Sequence, residues 1–349
     1  MENKAAKKVY IEYLRVAAMV AVVLSHIGST AASDFPDSYH TPAGALYSSV
    51  VNLLHFAVPV FFMISGALML DSKKELTIEK LFKKYILKYA AVILVFGWGY
   101  AFIEEVFNDR SISLGHFVRS FCNMLQRKTW AHMWYLYALL GILFLVPVLR
   151  LMVRHFSDEQ MKYWIGISVL FLSIIPMVEL WTGKRSGIVF PLNREFSLYM
   201  LLGFWIEYGY IKISKKTAAA GIIISIPFLV AGAYLKALYG INLGAGEYYS
   251  PAVLLYSVCI FSLFKYSGKW AGLEGGKIHK AVGFLSGVSF GVYLVQDWLI
   301  AQTETRLFEP LCQVLPAFAA VLAWEMIVFG IALAAVWVMR RIPVLKKLL

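Results

Sequence analysis

Arg15 and His26 stand eleven residues apart inside the first long apolar stretch, Tyr10 to Ile27. A guanidinium and an imidazole are costly within a bilayer, and residues of these types found there commonly mark function. Eleven steps of about 100° complete three helical turns with about 20° left over, so on a helix both side chains share one face, about 16 Å apart along the axis. An imidazole titrates near neutrality and serves as a general base, whereas a guanidinium is a permanent cation suited to an anionic ligand. The pair therefore offers proton transfer at one depth of a membrane and anion binding at another. For either residue alone the plainer role is a snorkelling arginine or a histidine hydrogen-bonded between helices.

Three further runs carry polar or breaker residues inside apolar sequence. Val58-Pro59-Val60-Phe61-Phe62-Met63-Ile64-Ser65-Gly66-Ala67 contains a proline that kinks a helix and a Ser65-Gly66 pair that admits another backbone or a thin ligand chain. Trp130-Ala131-His132-Met133-Trp134-Tyr135-Leu136 joins a titratable group to rings that also suit a membrane-interface belt. Ser289-Phe290-Gly291-Val292-Tyr293-Leu294-Val295-Gln296-Asp297 ends on a carboxylate which, like Glu325, needs a partner in the membrane. Metal ligation by His26, His55 and His132 is not expected, because no H-x-x-E-H or similar spacing links them. The three cysteines form no C-x-x-C pair; Cys122 and Cys312 fall on one predicted side, where a disulfide is conceivable, and Cys259 suits packing.

The elements that must position these groups are membrane helices. The 349 residues are 60% hydrophobic and only 15% charged, with a mean hydropathy of +0.68, which points to an all-α, polytopic membrane protein in one domain over residues 1–349. Spanning segments are predicted at 10–30, 46–70, 86–107, 130–150, 162–181, 196–211, 217–235, 249–264, 282–300 and 313–339. Ten is the best count, with nine or eleven as alternatives. The segment at 196–211 is short and carries Glu207.

With the N-terminus in the cytoplasm, 23 of the 33 Lys and Arg, among them Lys4, Lys7, Lys8, Lys265 and Lys269, fall on the cytoplasmic side and nine on the other. This asymmetry predicts both termini inside. It also accounts for the +12 net charge and the pI near 9.4 by short basic loops, and no nucleic-acid-binding module is present. The N-terminal run is too long, and carries Arg15 and His26, for a cleaved signal, so it is read as a retained first helix. The loop at 182–195, with Lys184, Arg185, Arg194 and Glu195, offers an outer contact for a polar substrate or simply a solvated face.

Together these landmarks resemble the membrane-bound acyltransferase-3 family over essentially the whole chain. The residues that carry the resemblance are Arg15-x10-His26, Val60 to Gly66, His132-Met133-Trp134-Tyr135-Leu136, Tyr249-Ser250-Pro251 and Ser289 to Leu294. The closest likeness is to the compact subgroup of O-acetyltransferases without an appended extracellular domain. The resemblance implies transfer of an acyl group, usually acetyl, from cytoplasmic acyl-CoA to a hydroxyl of a cell-envelope glycan or lipid-linked saccharide, in the bacterial cytoplasmic membrane. No resident cofactor or metal is implied; acyl-CoA is a substrate.

By that resemblance His26 is the catalytic histidine and Arg15 holds the donor. An imidazole at that place takes the proton of an attacking hydroxyl, and an acyl-histidine intermediate is the alternative. His132, Trp134 or Tyr135 could donate to the developing oxyanion, Asp297 could orient His26, and Ser65 and Gly66 are supporting positions. Relatives often carry arginines in the first cytoplasmic loop; here Lys83, Lys84 and Lys88 are the phosphate contacts expected, point charges without the bidentate fork, or else plain positive-inside charge. Gln296 stands where many relatives have histidine, and Pro59 where many have aspartate. A transporter of a small polar solute such as an amino acid or sugar is the rival reading, since intramembrane charge and a broken helix serve carriers too.

Overall fold

The computed structural model describes residues 8–34, 41–71, 73–188, 190, 195–268, 270 and 275–349; Lys4, Lys7, Arg194 and Lys269 lie outside them. Two compact units are present, one of Met1–Asp71 with Phe156–Val336 and one of Ser72–His155 with Trp337–Leu349. The first holds α1 (Val9–Asp34), α2 (Pro42–Leu54) and α3 (Ala57–Met69). The second begins with α4 (Ile78–Asp109), α5 (Leu114–Leu125) and α6 (Ala131–His155). The chain returns to the first unit with α7 (Asp158–Thr182), α8 (Phe196–Glu207), α9 (Lys215–Tyr239), α10 (Pro251–Tyr266), α11 (Lys277–Val314) and α12 (Ala317–Met339). The short α13 (Pro343–Leu348) belongs to the second unit and packs on α4. No strand occurs among the described residues.

Eight stretches of helix are long and apolar enough to cross a membrane: α1, Gly44–Met69 (α2 with α3), α4, α6, α7, α9, α11 and Phe318–Met339 of α12. The break between α2 and α3 falls at His55 and Phe56. Pro59 explains it, because proline has no N–H for the carbonyl of residue 55 and its ring crowds that turn.

The remaining two of the ten expected spans correspond to shorter apolar helices. α8 has 12 residues and α10 has 16. At 1.5 Å per residue these reach about 18 and 24 Å, against a hydrocarbon core of about 30 Å. The first of them is as apolar as a lipid-facing span because a helix enclosed by protein has the same composition as one enclosed by lipid. In α8 every residue from Phe196 to Ile206 is buried.

α8 is held by a reciprocal backbone contact with α3. A Cβ added at Gly66 would lie 1.9 Å from the Met200 carbonyl oxygen, and one added at Gly203 would lie 2.1 Å from that of Met63. Small residues at a crossing let two membrane helices touch backbone to backbone, which maximises dispersion where lipid offers little hydrophobic drive. Phe62 and Phe196 stack beside the crossing at 4.5 Å.

The Tyr249-Ser250-Pro251 run ends the loop between α9 and α10. Ser250 Oγ accepts from the Ala252 N–H and Pro251 occupies the first turn, a cap that needs no N–H from the proline. Carbonyls of the same loop accept from three helices: His55 Nδ1 donates to Gly246 at 2.7 Å, Tyr199 to Tyr248 at 2.7 Å and Ser173 to Tyr249 at 2.6 Å. The motif thus ties α2, α7 and α8 to one loop. Burial raises the Tyr248 phenol well above its ordinary range, so it stays neutral.

In the second unit, α4 contains π turns at Phe82–Ile86 and Ile93–Gly97. The Gly97 carbonyl of the second accepts from Thr129 Oγ1 at 2.9 Å. Trp98 of α4 packs on Phe117 and Phe121 of α5. Cys122, Cys259 and Cys312 are all free thiols, so the conceivable Cys122–Cys312 disulfide is not formed. Cys259 is buried and its Sγ sits 2.4 Å from where a Cβ at Gly221 would be, a packing role.

Gly66→Ala is expected to lower the Tm of the detergent-purified protein, an overpacking cost of about 1–3 kcal/mol. Gly99→Ala, with nothing within 4 Å of the added Cβ, is expected to leave it unchanged or slightly raised. Thermal unfolding of the two variants beside wild type checks this, and equal Tm values would deny the crossing.

Candidate active site

α1 and α11 run in the same direction and keep one register along their contact. A Cβ at Gly283 would lie 3.7 Å from Glu12 Oε2, Arg15 Nη1 donates to Ser286 Oγ at 3.2 Å, and Asp297 Oδ1 lies 3.9 Å from His26 Nδ1. In each pair the partner is 271 residues further along. Two helices of the same repeat, packed nearly parallel, hold such an offset over several turns. The eleven-residue interval from Arg15 to His26 is therefore matched by the interval from Ser286 to Asp297. A polar seam results in an otherwise apolar interface.

At one end of the seam the side chains of His26 and Asp297 are part-exposed, 27% and 24%. At 3.9 Å the carboxylate is beyond hydrogen-bond distance, and its effect on the imidazole is through charge. The hydrogen-bond partner of His26 Nδ1 is Gln296, whose Nε2 contacts it. Gln296 is fully buried.

At the other end, His279 Nε2 lies 3.9 Å from Glu12 Oε2, and the Tyr13 ring sits 4.7 Å from that of Trp270 and 6.2 Å from that of His279. Arg15 lies one turn beyond Glu12 and is half-buried.

The start of α1 is anchored to the end of α8. Glu207 accepts from Tyr10, pairs with Lys8 at 2.7 Å and with Lys265 at 3.0 Å, and its carbonyl also accepts from Lys265. Its side chain is only 9% exposed. Two lysines and a phenol around one carboxylate explain why a short apolar helix ends in Glu207.

Of the residues singled out in the sequence, the structure brings Arg15, His26 and Asp297 into one seam. Ser65 turns its hydroxyl to the Phe61 carbonyl of its own helix at 2.9 Å, and the space beside Gly66 is filled by the α8 backbone, leaving none for a ligand chain. Lys83, Lys84, Lys88, His132, Trp134 and Tyr135 belong to the second unit. There Lys83 is paired with Glu79 at 2.6 Å on the surface, Lys84 lies 5.5 Å from the Tyr85 ring, and Lys88 sits in the helical turn after the first π turn. His132 is buried edge-on to Tyr100 at 5.6 Å, and Trp134 is edge-on to Tyr135 at 6.3 Å.

His55 is a packing histidine, committed to the Gly246 carbonyl. Among the described residues the one group of three whose atoms lie close enough for a metal is Glu105, Asp109 and His116 of the second unit. Arg119 already stands 3.2 Å from Glu105 and 3.9 Å from Asp109, so a cation is in place.

Ser286, Glu12 and His279 were not singled out in the sequence, and Gln296 appeared only as a departure from a pattern. For two of them spacing was the available signal: His279 and Ser286 stand seven residues apart, about two turns, on the face of α11 that meets α1.

A family model described as an acyltransferase domain, Acyl_transf_3, matches residues 8–340, which takes in both units. No curated protein and no solved structure matches the chain.

Glu207→Gln leaves Lys8 and Lys265 without their shared carboxylate and is expected to cost about 3 kcal/mol of stability. Glu79→Gln removes an exposed pair and is expected to cost no more than about 0.5 kcal/mol. Melting curves of the two variants in detergent separate these outcomes; equal losses would remove the anchor.

Proposed function

Since the chain belongs to the acyltransferase-3 family, matched from residue 8 to residue 340 on a multi-pass helical membrane scaffold, we propose that it transfers an acyl group, acetyl in the first instance, from acyl-CoA on the cytoplasmic side to a hydroxyl of a cell-envelope glycan or lipid-linked saccharide on the far side. The observation that carries this reading is the seam, in which a cation and a base occupy two depths of one helix pair. Family membership does not favour the carrier reading. A bacterial cytoplasmic membrane is the proposed location.

Arg15 takes an anionic part of the donor near the inner surface, with its guanidinium held by Ser286. The thioester-bearing arm extends about 16 Å along the seam to His26. The acceptor oxygen attacks the thioester carbonyl while its proton passes to His26. The C–S bond then breaks and the departing sulfur takes that proton back, leaving an ester and free CoA thiol. The Asp297 charge at 3.9 Å favours the imidazolium that exists between the two transfers. Lys84 and Lys88 are proposed as phosphate contacts on the resemblance alone.

Purified protein with labelled acetyl-CoA and a mixed glycan extract is expected to release CoA and label glycan. His26→Ala, inserted and folded, is expected to lose about 10²- to 10⁴-fold in kcat. Arg15→Ala is expected to raise the donor KM about ten- to a hundredfold with a smaller change in kcat, the loss of a charge-assisted contact. Wild-type turnover in His26→Ala would remove the base, and an unchanged donor KM in Arg15→Ala would remove the donor contact.

A further inference from the structure

We infer that Gln296 is a positioning residue that sets the working tautomer of His26 by presenting its amide oxygen to Nδ1, and this inference rests on the acyl-transfer reading above. The amide is fully buried on α11, its Nε2 contacts His26 Nδ1, and its Oε1 has no hydrogen-bond partner among the described residues. Asp297, the neighbouring carboxylate, stays beyond hydrogen-bond distance of the same nitrogen at 3.9 Å. The ring nitrogen that faces the protein is thus governed by a neutral amide, which can donate or accept through the same position.

The two amide orientations have opposite chemical consequences. With Nε2 donating to Nδ1, the lone pair of Nδ1 is engaged and the proton of the neutral ring sits on the ring's Nε2, which then has no lone pair for an incoming proton. A turn of the amide by 180° about its last torsion exchanges two atoms of nearly equal size at no cost in volume. Gln296 Oε1 then accepts from Nδ1–H, the buried carbonyl gains its partner, and the ring's Nε2 carries the lone pair. When Nδ1 carries the proton, an amide N–H aimed at it would set donor against donor, so the orientation with Oε1 toward Nδ1 is the one favoured in that tautomer.

In the working state the acceptor hydroxyl gives its proton to Nε2 as its oxygen bonds to the thioester carbon. The ring becomes an imidazolium whose Nδ1–H still points at Gln296 Oε1. As the C–S bond breaks, the electron pair leaves with sulfur, and Nε2–H returns the proton to it. Gln296 takes up and releases no proton. With Oε1 kept toward Nδ1, the amide holds that proton on Nδ1 through the whole cycle, while Asp297 Oδ1 stays 3.9 Å from the same nitrogen.

Among the described residues, Asp297 of α11 lies 3.9 Å from His26 Nδ1, and Tyr47 of α2, with Glu325 of α12 within its electrostatic range, packs against Gly28 two residues along α1. Substitution at Gln296 leaves all three in place, so a change in the titration of His26 reports on the amide.

The full-length protein in detergent is compared as wild type, Gln296→Leu and Gln296→Glu, by kcat and donor KM across pH. Gln296→Leu is expected to lower kcat by about 10²-fold with the donor KM unchanged. Gln296→Glu keeps an acceptor on Nδ1 and is expected to retain more activity than Gln296→Leu, with the acid limb moved up by about one pH unit because an added anion favours the imidazolium. A packing role alone would lower the folded yield of both variants and leave the kcat of folded Gln296→Leu at the wild-type value. Should Gln296→Leu fail to fold, Gln296→Glu carries the test.

A readout independent of turnover is the rate at which diethyl pyrocarbonate modifies His26 across pH, followed by peptide mass spectrometry. An upward shift of its midpoint in Gln296→Glu supports the contact even in protein that shows no acetyl-CoA turnover, in which case only the acyl-transfer reading fails. An unmoved midpoint, or a Gln296→Leu enzyme with wild-type kcat and acid limb beside an inactive His26→Ala, overturns the role of Gln296 and leaves that reading standing.

Discussion

A guanidinium and an imidazole inside a low-dielectric slab must find polar partners at two separate depths, and a single parallel helix meets that demand. Ser286 answers Arg15 and the Gln296-Asp297 pair answers His26, in one register, because two α-helices that lie nearly parallel repeat the same contacts turn after turn. A crossing at a steep angle would satisfy one of these groups and strand the other. The seam is thus a property of the helix pair, and its chemistry follows from which residues the common repeat brings together.

Much of the first unit serves to fix α1 against its neighbours. Its N-terminal end is tied to α8 through Glu207, Lys8, Tyr10 and Lys265, and α8 is in turn locked to α3 by the Gly66 and Gly203 contacts. α11 is braced from its other side by α12, where Trp324 donates to Thr303 at 2.8 Å and stacks on Phe308. A base must be held to within a fraction of an ångström to be effective, and side chains on helices fixed this way are better placed than side chains on loops.

The sequence showed the helical class, most of the crossing segments and the shared face of Arg15 and His26, because hydropathy and the 3.6-residue repeat are local properties. It did not show that the helix at 196–211 has only 12 residues, or that protein encloses it, since an interior helix and a lipid-facing one share a composition. Pro59 was legible as a kink, and the break lies one turn before it, where its missing N–H would have acted. Gln296 was visible only as an unusual residue type. Its role depends on a contact across 270 residues, which no local pattern encodes. Gly66 was read as a point of close approach for a backbone or a ligand; the neighbour proved to be the α8 backbone, a long-range fact of the same kind.

The most direct measurement uses right-side-out membrane vesicles that carry the protein, with labelled acetyl-CoA sealed inside and a mixed glycan extract outside. Label on the external glycan with donor inside, none with donor supplied only outside, and none in His26→Ala vesicles is the predicted result. Label with donor supplied only outside, or in His26→Ala vesicles, would contradict transfer along the seam from the Arg15 end to the His26 end.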